Sequence, residues 1–218
     1  MAFDPEARLV LRVVPGKRTA ENTETLVQDF QARTGERLLD LITTDDYSAY
    51  GPAILNAYGE WVVPPPTGRR GHPRAPYLAP PPELNYATVH KTRRQGRVVQ
   101  IDLRVVFGEP QAVQAALDRS TVSHAINTAF LERHHATDRH RNARKTRKSY
   151  RFSKDWDVHN TATYFTMYSY NFCWPVRTLQ VRGDDNHWQP RTPAMKAGLA
   201  DHVWSLTEWL TFPGVQSE

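Results

Sequence analysis

The spacing of apolar residues changes several times along the first quarter of the chain. Residues 9–14 form a β-branched run closed by a Pro-Gly pair, which predicts a strand. Positions 19–35 combine a threonine cap, one apolar face and a terminal glycine, so we predict a helix there. The short apolar run 38–43 predicts a second strand, and residues 48–58 predict a second helix.

Strict alternation of apolar and polar residues predicts a β-hairpin in the middle of the chain. Residues 86–92 and 97–107 are its predicted arms, joined by a turn at 94–96. On the second arm the apolar face comprises Val99, Ile101, Leu103, Val105 and Phe107, and the polar face comprises Gln100, Asp102 and Arg104. The turn is surrounded by basic residues, which suit either a DNA-contacting arm or a merely solvated tip.

Helical patterns dominate the second half of the chain. Residues 110–118 predict a short helix, and a helix containing Glu132 follows. The aromatic-rich stretch 155–174 has helical spacing, so we predict that it packs against the sheet rather than stacking nucleobases. Thr192-Pro193 predicts the start of a last helical region carrying two tryptophans. Together these elements predict an α/β fold, with a mixed sheet and flanking helices.

A proline-rich segment interrupts this pattern. Residues 64–82 hold eight of the chain's 16 prolines and are predicted to be extended and semi-rigid. Within them, residues 68–74 resemble the Gly-Arg-Pro hooks that enter A·T-rich minor grooves, although a basic loop of no fixed role has the same composition. The predicted segments are 1–63 (first part of the core), 64–108 (linker and inserted β-hairpin), 109–178 (second part of the core) and 179–218 (a C-terminal helical tail).

Composition restricts the classes of function. The 218 residues are enough for one domain with an inserted subdomain, and 39% hydrophobic residues exclude wholesale disorder. The 28 basic and 23 acidic residues give a net charge of +5, which favours a polyanionic partner. The single cysteine, Cys173, cannot form an internal disulfide, and no stretch approaches the ~18 apolar residues of a membrane span. We therefore predict a cytoplasmic protein without a membrane partner.

The most informative stretch surrounds Glu132. Residues 132–154 contain nine Lys or Arg against two acids, Glu132 and Asp138. A carboxylate in such a cationic surface suggests a group that holds a metal ion while its surroundings hold a polyanion. Arg139 lies about two helical turns after Glu132, so both project from nearly the same face. A solvated basic helix with one i,i+7 pair is the plainer interpretation.

Three blocks carry a resemblance to a known family. The run E-R-H-x-x-x-x-R from Glu132 to Arg139, followed by R-K-x-x-x-F-S-K, is similar to the third acidic block of bacterial DDE transposases of the insertion-sequence-one (InsB-like) type. Residues 44–50 resemble the family's T-D-x-x-x-x-Y block, and residues 13–19 its G-x-R-T segment. The blocks occur in the family's order, and the resemblance extends to about Val176.

This resemblance implies a ribonuclease-H-like core and DNA transposition. Asp45 and Glu132 would be catalytic metal ligands for Mg²⁺ or Mn²⁺, and Arg139 would hold a phosphate near the scissile bond. Such an enzyme nicks transposon ends, and the exposed 3′-hydroxyl then attacks target DNA. The implied partners are double-stranded DNA, as transposon ends and target, and further copies of the protein on that DNA in the nucleoid.

Basic residues near Glu132 and the hairpin turn are the predicted DNA contacts. They are Arg133, Arg141, Arg144, Lys145, Arg147, Lys148, Arg94 and Arg97. About six phosphate contacts from this set predict a log–log salt slope of roughly −5 for DNA affinity.

The family's first catalytic aspartate has no counterpart here. Asp4 lies in a Phe-Asp-Pro-Glu sequence typical of a turn, and it matches a turn residue of the family. We therefore expect a truncated or partial copy that lacks the first strand, is poorly soluble and does not cleave DNA detectably. The alternative is a catalytically inactive, DNA-binding derivative of a transposase.

Two further chemistries are disfavoured. His134, His135 and His140 could suggest zinc, but no cysteine joins them and the adjacent pair points to different faces. Nucleophilic Ser/His catalysis would need a G-x-S-x-G or comparable elbow, and the chain has none.

Overall fold

A computed structural model describes residues 1–65, 74–146, 150–184 and 186–213. The strands within these ranges are β1 (Ala2–Asp4), β2 (Leu9–Arg12), β3 (Ile42–Asp45), β4 (Glu60–Val62), β5 (Tyr77–Ala79), β6 (Tyr86–Arg94), β7 (Arg97–Phe107), β8 (Val181–Arg182) and β9 (Trp188–Gln189). The α-helices are α1 (Ala20–Arg33), α2 (Tyr50–Tyr58), α3 (Pro110–Arg119), α4 (Ala129–Arg141), α5 (Trp156–Cys173), α6 (Pro193–Lys196) and α7 (Leu206–Thr211). Short 3₁₀ helices span Ala143–Lys145 and Arg177–Leu179.

The chain divides into two compact units. The middle unit is Gly16–Ala129, and the terminal unit combines Met1–Pro15 with the chain from Phe130 onwards. The predicted mixed α/β class is confirmed, because a three-stranded mixed sheet in the order β3-β6-β7 lies in the middle unit with helices beside it. In this sheet β3 is parallel to β6, and β6 is antiparallel to β7.

The predicted hairpin is confirmed. Gln95 and Gly96 both have positive φ, 50° and 79°, as the type I′ turn of a two-residue hairpin requires. Its first arm also pairs with β3, from Ile42 opposite Tyr86 to Asp45 opposite Val89. Periodicity could not have shown this pairing, because alternation along one strand does not identify its neighbour.

Helices α1 and α2 cover the sheet of the middle unit. Thr19 caps α1 as predicted, since the backbone N–H of Asn22 donates to its Oγ1 at 3.2 Å. The buried core consists of Val27, Ala53, Ile54, Tyr58, Leu84 and Tyr86. β3 spans Ile42–Asp45 instead of the predicted 38–43. Asp45 is therefore the last residue of the strand rather than a residue just beyond it.

In the terminal unit the β1–β2 hairpin packs on α5. The Asn171 side chain accepts from Val10 N at 2.9 Å and donates to Val10 O at 2.8 Å, which satisfies a backbone edge that would otherwise be buried unpaired. The core residues are Val10, Val13, Met167 and Tyr170. The prediction that this aromatic helix forms core is confirmed for Tyr170, whereas Trp156 and Phe165 are exposed.

The last helical region differs from its prediction in one respect. Thr192 caps α6 as expected, because Met195 N donates to its Oγ1 at 3.2 Å. Trp204, however, precedes α7 and stacks on Phe172 with ring centroids 4.7 Å apart. The helix starts only after Ser205, whose side chain forms a capping box with Glu208.

Candidate functional site

Asp45 stands at the carboxyl end of β3 with its side chain about half exposed. Arg18, just before α1, donates from Nη2 to Asp45 Oδ1 at 2.6 Å. The Arg18 guanidinium also lies over the Tyr47 ring, 4.2 Å from its centroid, and Tyr47 Oη donates to the Arg18 carbonyl at 3.2 Å. Because a guanidinium carries five N–H donors, Arg18 can bind Asp45 and an incoming anion at the same time.

Other polar groups line the same end of the strand. Asp46 Oδ2 lies 3.0 Å from His90 Nδ1 on β6, an ion pair when His90 is protonated. Burial, and then the Asp45 carboxylate, raises the pKa of the Tyr50 hydroxyl, so this phenol stays protonated at neutral pH. The sheet end therefore presents two exposed carboxylates, each beside a basic side chain.

Helix α4 has one exposed face and one buried polar face. Glu132, Arg133 and Arg139 are exposed, and the first and last of them lie on the shared face that their seven-residue spacing predicted. His134 and Asp138, one turn apart, are buried. Of the predicted site residues of this helix, Glu132, Arg133 and Arg139 thus lie on its solvent side, whereas Arg141 is partly buried.

The charge of the buried Asp138 carboxylate is balanced by a lysine inside the terminal unit. Lys145 Nζ lies 2.7 Å from Asp138 Oδ2, and Thr166 Oγ1 donates to Oδ1 at 3.4 Å. Lys145 was predicted to contact DNA, but its ammonium is mostly buried against this carboxylate. Sequence reasoning missed the pair, although the i,i+7 spacing of an acid and a lysine was a visible signal.

His134 is a packed core residue. Its ring lies between Phe3 and Tyr170, with centroid distances of 5.0 and 4.6 Å. Burial lowers the pKa of His134 to about 4, and burial also lowers the pKa of His135. The His134 imidazole is therefore neutral near pH 7 and packed between two aromatic rings.

The other predicted DNA-contacting residues differ in their solvent exposure. Arg94, Arg97, Arg133 and Arg144 are exposed. Arg141 is partly buried over the Trp174 ring at 4.2 Å, and burial lowers its pKa. Arg147 and Lys148 lie outside the described residues, as does most of the proposed minor-groove hook at 68–74.

Asp4 organises a turn, as predicted. It ends β1, and its Oδ1 accepts hydrogen bonds from Glu6 N at 2.8 Å and Ala7 N at 3.3 Å. A carboxylate oxygen bonded to two backbone N–H groups is committed to local structure.

The residues described do not by themselves assemble a three-ligand metal site. No group of three or more His, Cys, Asp or Glu side chains among them is placed to hold a metal ion. Asp45 belongs to the middle unit and Glu132 to the terminal unit. Mg²⁺ in general needs only one or two protein carboxylates when phosphate oxygens of a bound ligand and water complete its shell.

Comparisons with known proteins add no assignment. No protein-family model matches the chain, no curated protein is significantly similar to it, and no solved structure matches it. Across the described ranges, every helix is too short or too polar to cross a membrane. Function is therefore inferred from the residues and their geometry.

Proposed function

We propose that this protein is a DDE-type DNA transposase that cleaves and transfers DNA strands in a divalent-metal-dependent reaction. The observation that carries the proposal is the Asp45–Arg18 pair, 2.6 Å apart at the open carboxyl end of β3. Binding groups of α/β sheets collect at the carboxyl ends of strands. A carboxylate that can hold a metal ion and a guanidinium that can hold a phosphate stand side by side there.

Within the α/β class, the proposed fold is ribonuclease-H-like. Parallel strands β3 and β6 are connected through α2, an antiparallel β7 lies beyond them, and α1 and α2 pack against the same core. This order is compatible with an α/β fold, and the resemblance to insertion-sequence-one transposases is what supports the more specific ribonuclease-H-like assignment. In that fold Asp45 would be the second of the three acidic ligands.

Each site residue has a distinct proposed role. Asp45 and Glu132 would each act as a ligand of Mg²⁺ or Mn²⁺, which would supply Lewis-acid stabilisation of the attacking and leaving oxygens. Arg18 and Arg139 would each donate hydrogen bonds to phosphate oxygens and orient the scissile strand. The exposed arginines of α4 and of the hairpin turn would contact the backbone of double-stranded DNA, on which copies of the protein assemble in the nucleoid.

A catalytically inactive DNA-binding derivative is the second candidate. It would keep the basic surface but lack the family's first catalytic aspartate, and an Asp45 carboxylate already compensated by Arg18 is stable without a metal ion. Both candidates share the basic exposed residues and differ only in whether the carboxylates act on DNA.

Nicking of supercoiled DNA in Mn²⁺ distinguishes the two candidates. The chain has no counterpart of the family's first catalytic aspartate, so we expect little or no nicking by the unaltered protein. Where nicking is detected, Asp45→Asn and Glu132→Gln should each reduce it by at least about 10²-fold, because each removes a proposed metal ligand. Asp46→Asn is the matched control, since it changes a neighbouring exposed carboxylate, and it should retain most of the rate. Nicking that survives Glu132→Gln would refute the catalytic assignment, and DNA binding without nicking would favour the inactive derivative.

DNA affinity measured by fluorescence anisotropy over a salt series tests the shared part of the proposal. The log–log slope should be roughly −5, and Arg133→Ala should make it shallower by about 1. Lys196→Ala, an exposed basic residue on α6, should leave the slope unchanged. A salt-independent affinity would contradict a phosphate-binding surface.

A further inference from the structure

The outer edge of β7 is open in the part of the chain that the structure describes. β7 is 11 residues long and occupies one end of the order β3-β6-β7, so one of its edges has no described strand partner. Val99, Ile101 and Leu103 on its apolar face are 58%, 57% and 51% exposed. A long edge with an exposed apolar face is a surface on which another strand can add.

The charged residues on β7 indicate what kind of strand could pair with its outer edge. Its pairing with β6 is regular from Gln100 to Val105, and irregularities on either side bound this stretch. Asp102 and Arg104 flank Leu103 symmetrically and are both exposed. A strand with one acid and one base equally spaced about a central leucine is complementary to its own antiparallel copy.

We propose that two copies of this chain pair antiparallel through their β7 edges, with the two-fold axis at Leu103. Leu103 then faces Leu103 of the second copy, and Asp102 faces Arg104 of the second copy twice by symmetry. Ile101 lies opposite Val105 of the second copy, so the exposed apolar faces join into one. Opposite charges and apolar side chains in directly opposed positions both stabilise a sheet.

Neighbouring registers match the charges less well. Centring the axis on Asp102 places two aspartates opposite each other, and centring it on Arg104 opposes two arginines. Centring it on Ile101 places Asp102 opposite Gln100 and forms no ion pair. In the Leu103 register the two basic hairpin turns lie about 25 Å from the axis on opposite sides, far beyond a Debye length of ~8 Å.

The mass of the full chain in solution is the first test. Sedimentation equilibrium should show a dimer at twice the 25.0 kDa chain mass, in the absence of DNA. A chain that stays monomeric at about 100 μM would overturn the proposal and leave the β7 face to a different partner. This outcome is independent of nicking and DNA affinity, so it does not depend on the proposed function.

A charge swap tests the register without changing composition. Asp102→Arg and Arg104→Asp should each weaken the dimer about ten- to a hundredfold, because each turns two attractive cross-strand pairs into two repulsive ones. The double variant Asp102→Arg/Arg104→Asp should restore wild-type affinity. Dimers insensitive to the single reversals, or a double variant as weak as the single ones, would overturn the assigned register.

Cysteine cross-linking locates the axis directly. In a Cys173→Ser background, Leu103→Cys should form an intermolecular disulfide, since directly opposed Cβ atoms lie about 4.5–5.5 Å apart. Ile101→Cys is the matched control, because its counterpart in the second copy lies four residues along the strand, roughly 13 Å away. Equal cross-linking of both variants, or of neither, would contradict a two-fold axis at Leu103.

Discussion

Two carboxylate–cation pairs with nearly identical N···O distances differ sharply in their solvent exposure. Asp45–Arg18 and Asp138–Lys145 have N···O distances of 2.6 and 2.7 Å. The side chains of the first pair are 53% and 55% exposed, and those of the second 7% and 16%. The contrast teaches that distance alone does not identify a functional ion pair: only the exposed pair can exchange its partner for a ligand.

The energetic consequences of the two pairs should differ as strongly as their burial. Solvent screens an exposed pair, so its net contribution to stability is about 0–1 kcal/mol. Removing one partner of a buried pair leaves an uncompensated charge without water, which costs about 3–5 kcal/mol. Stability measurements can therefore separate a pair that maintains the fold from one available for chemistry.

The largest expected effect is the loss of Asp138. Asp138→Ala should lower the free energy of unfolding by about 3–5 kcal/mol, because Lys145 is left buried without its carboxylate. Urea denaturation followed by tryptophan fluorescence would measure it. The double variant Asp138→Leu/Lys145→Met removes both charges and should recover much of the loss; a single variant as stable as wild type would contradict the burial of the pair.

Acidification should destabilise the protein through His134. Its pKa in the folded state is about 4, below the ordinary value of 6.5, so folding favours the neutral ring. The stabilisation is complete above pH ~6.5 and is lost as the pH falls toward 4, by about 2 kcal/mol at pH 5. His134→Phe should remove this part of the pH dependence, whereas an unchanged stability profile in that variant would contradict the assignment.

Loss of the exposed Asp45–Arg18 pair should hardly change the free energy of unfolding. Asp45→Ala or Arg18→Ala should change the free energy of unfolding by less than about 1 kcal/mol, because both groups remain hydrated. Under the proposed function, Arg18→Ala should still weaken DNA binding measured by anisotropy. A large loss of stability in either variant would show that this pair, too, maintains the fold.

The smallest expected effect concerns His202, which contrasts with His134. Its ring nitrogens lie 2.6 Å from Asp201 Oδ1 and 2.9 Å from Glu208 Oε1, and these contacts raise its pKa. Its stabilising contribution is therefore full below the ordinary pKa of ~6.5 and is lost as the pH rises through the raised value. An NMR titration should place this pKa above the ordinary value of ~6.5, and His202→Gln should abolish the local pH response of α7.

The sequence predicted the positions of helices and strands better than it predicted which strands pair with one another. Alternation predicted the hairpin at Arg97–Phe107, and the threonine caps predicted the starts of α1 and α6, because these signals arise from local backbone chemistry. The pairing of β3 with β6 could not be predicted, since it joins segments about 40 residues apart and depends on how the helices cover the sheet.

The candidate site shows the same division. Its acids were predicted from the Thr-Asp-Asp and Glu-Arg-His blocks. Helical periodicity predicted that Glu132 and Arg139 share a face, and the structure shows that this face is exposed. Arg18 was visible only as part of a block, because its contact with Asp45 spans 27 residues. Lys145 was assigned to DNA since its charge was apparent in the sequence but its burial was not.

The sequence by itself determined the local features of this protein: where helices begin, which strand alternates, where basic charge concentrates and which acids stand in recognisable blocks. Tertiary structure alone decided which of two similar ion pairs faces solvent, which strand edge lacks a partner among the described residues and which histidine is neutral. The physical reason is that burial and electrostatic environment depend on distant segments, whereas propensity, capping and periodicity act within a few residues.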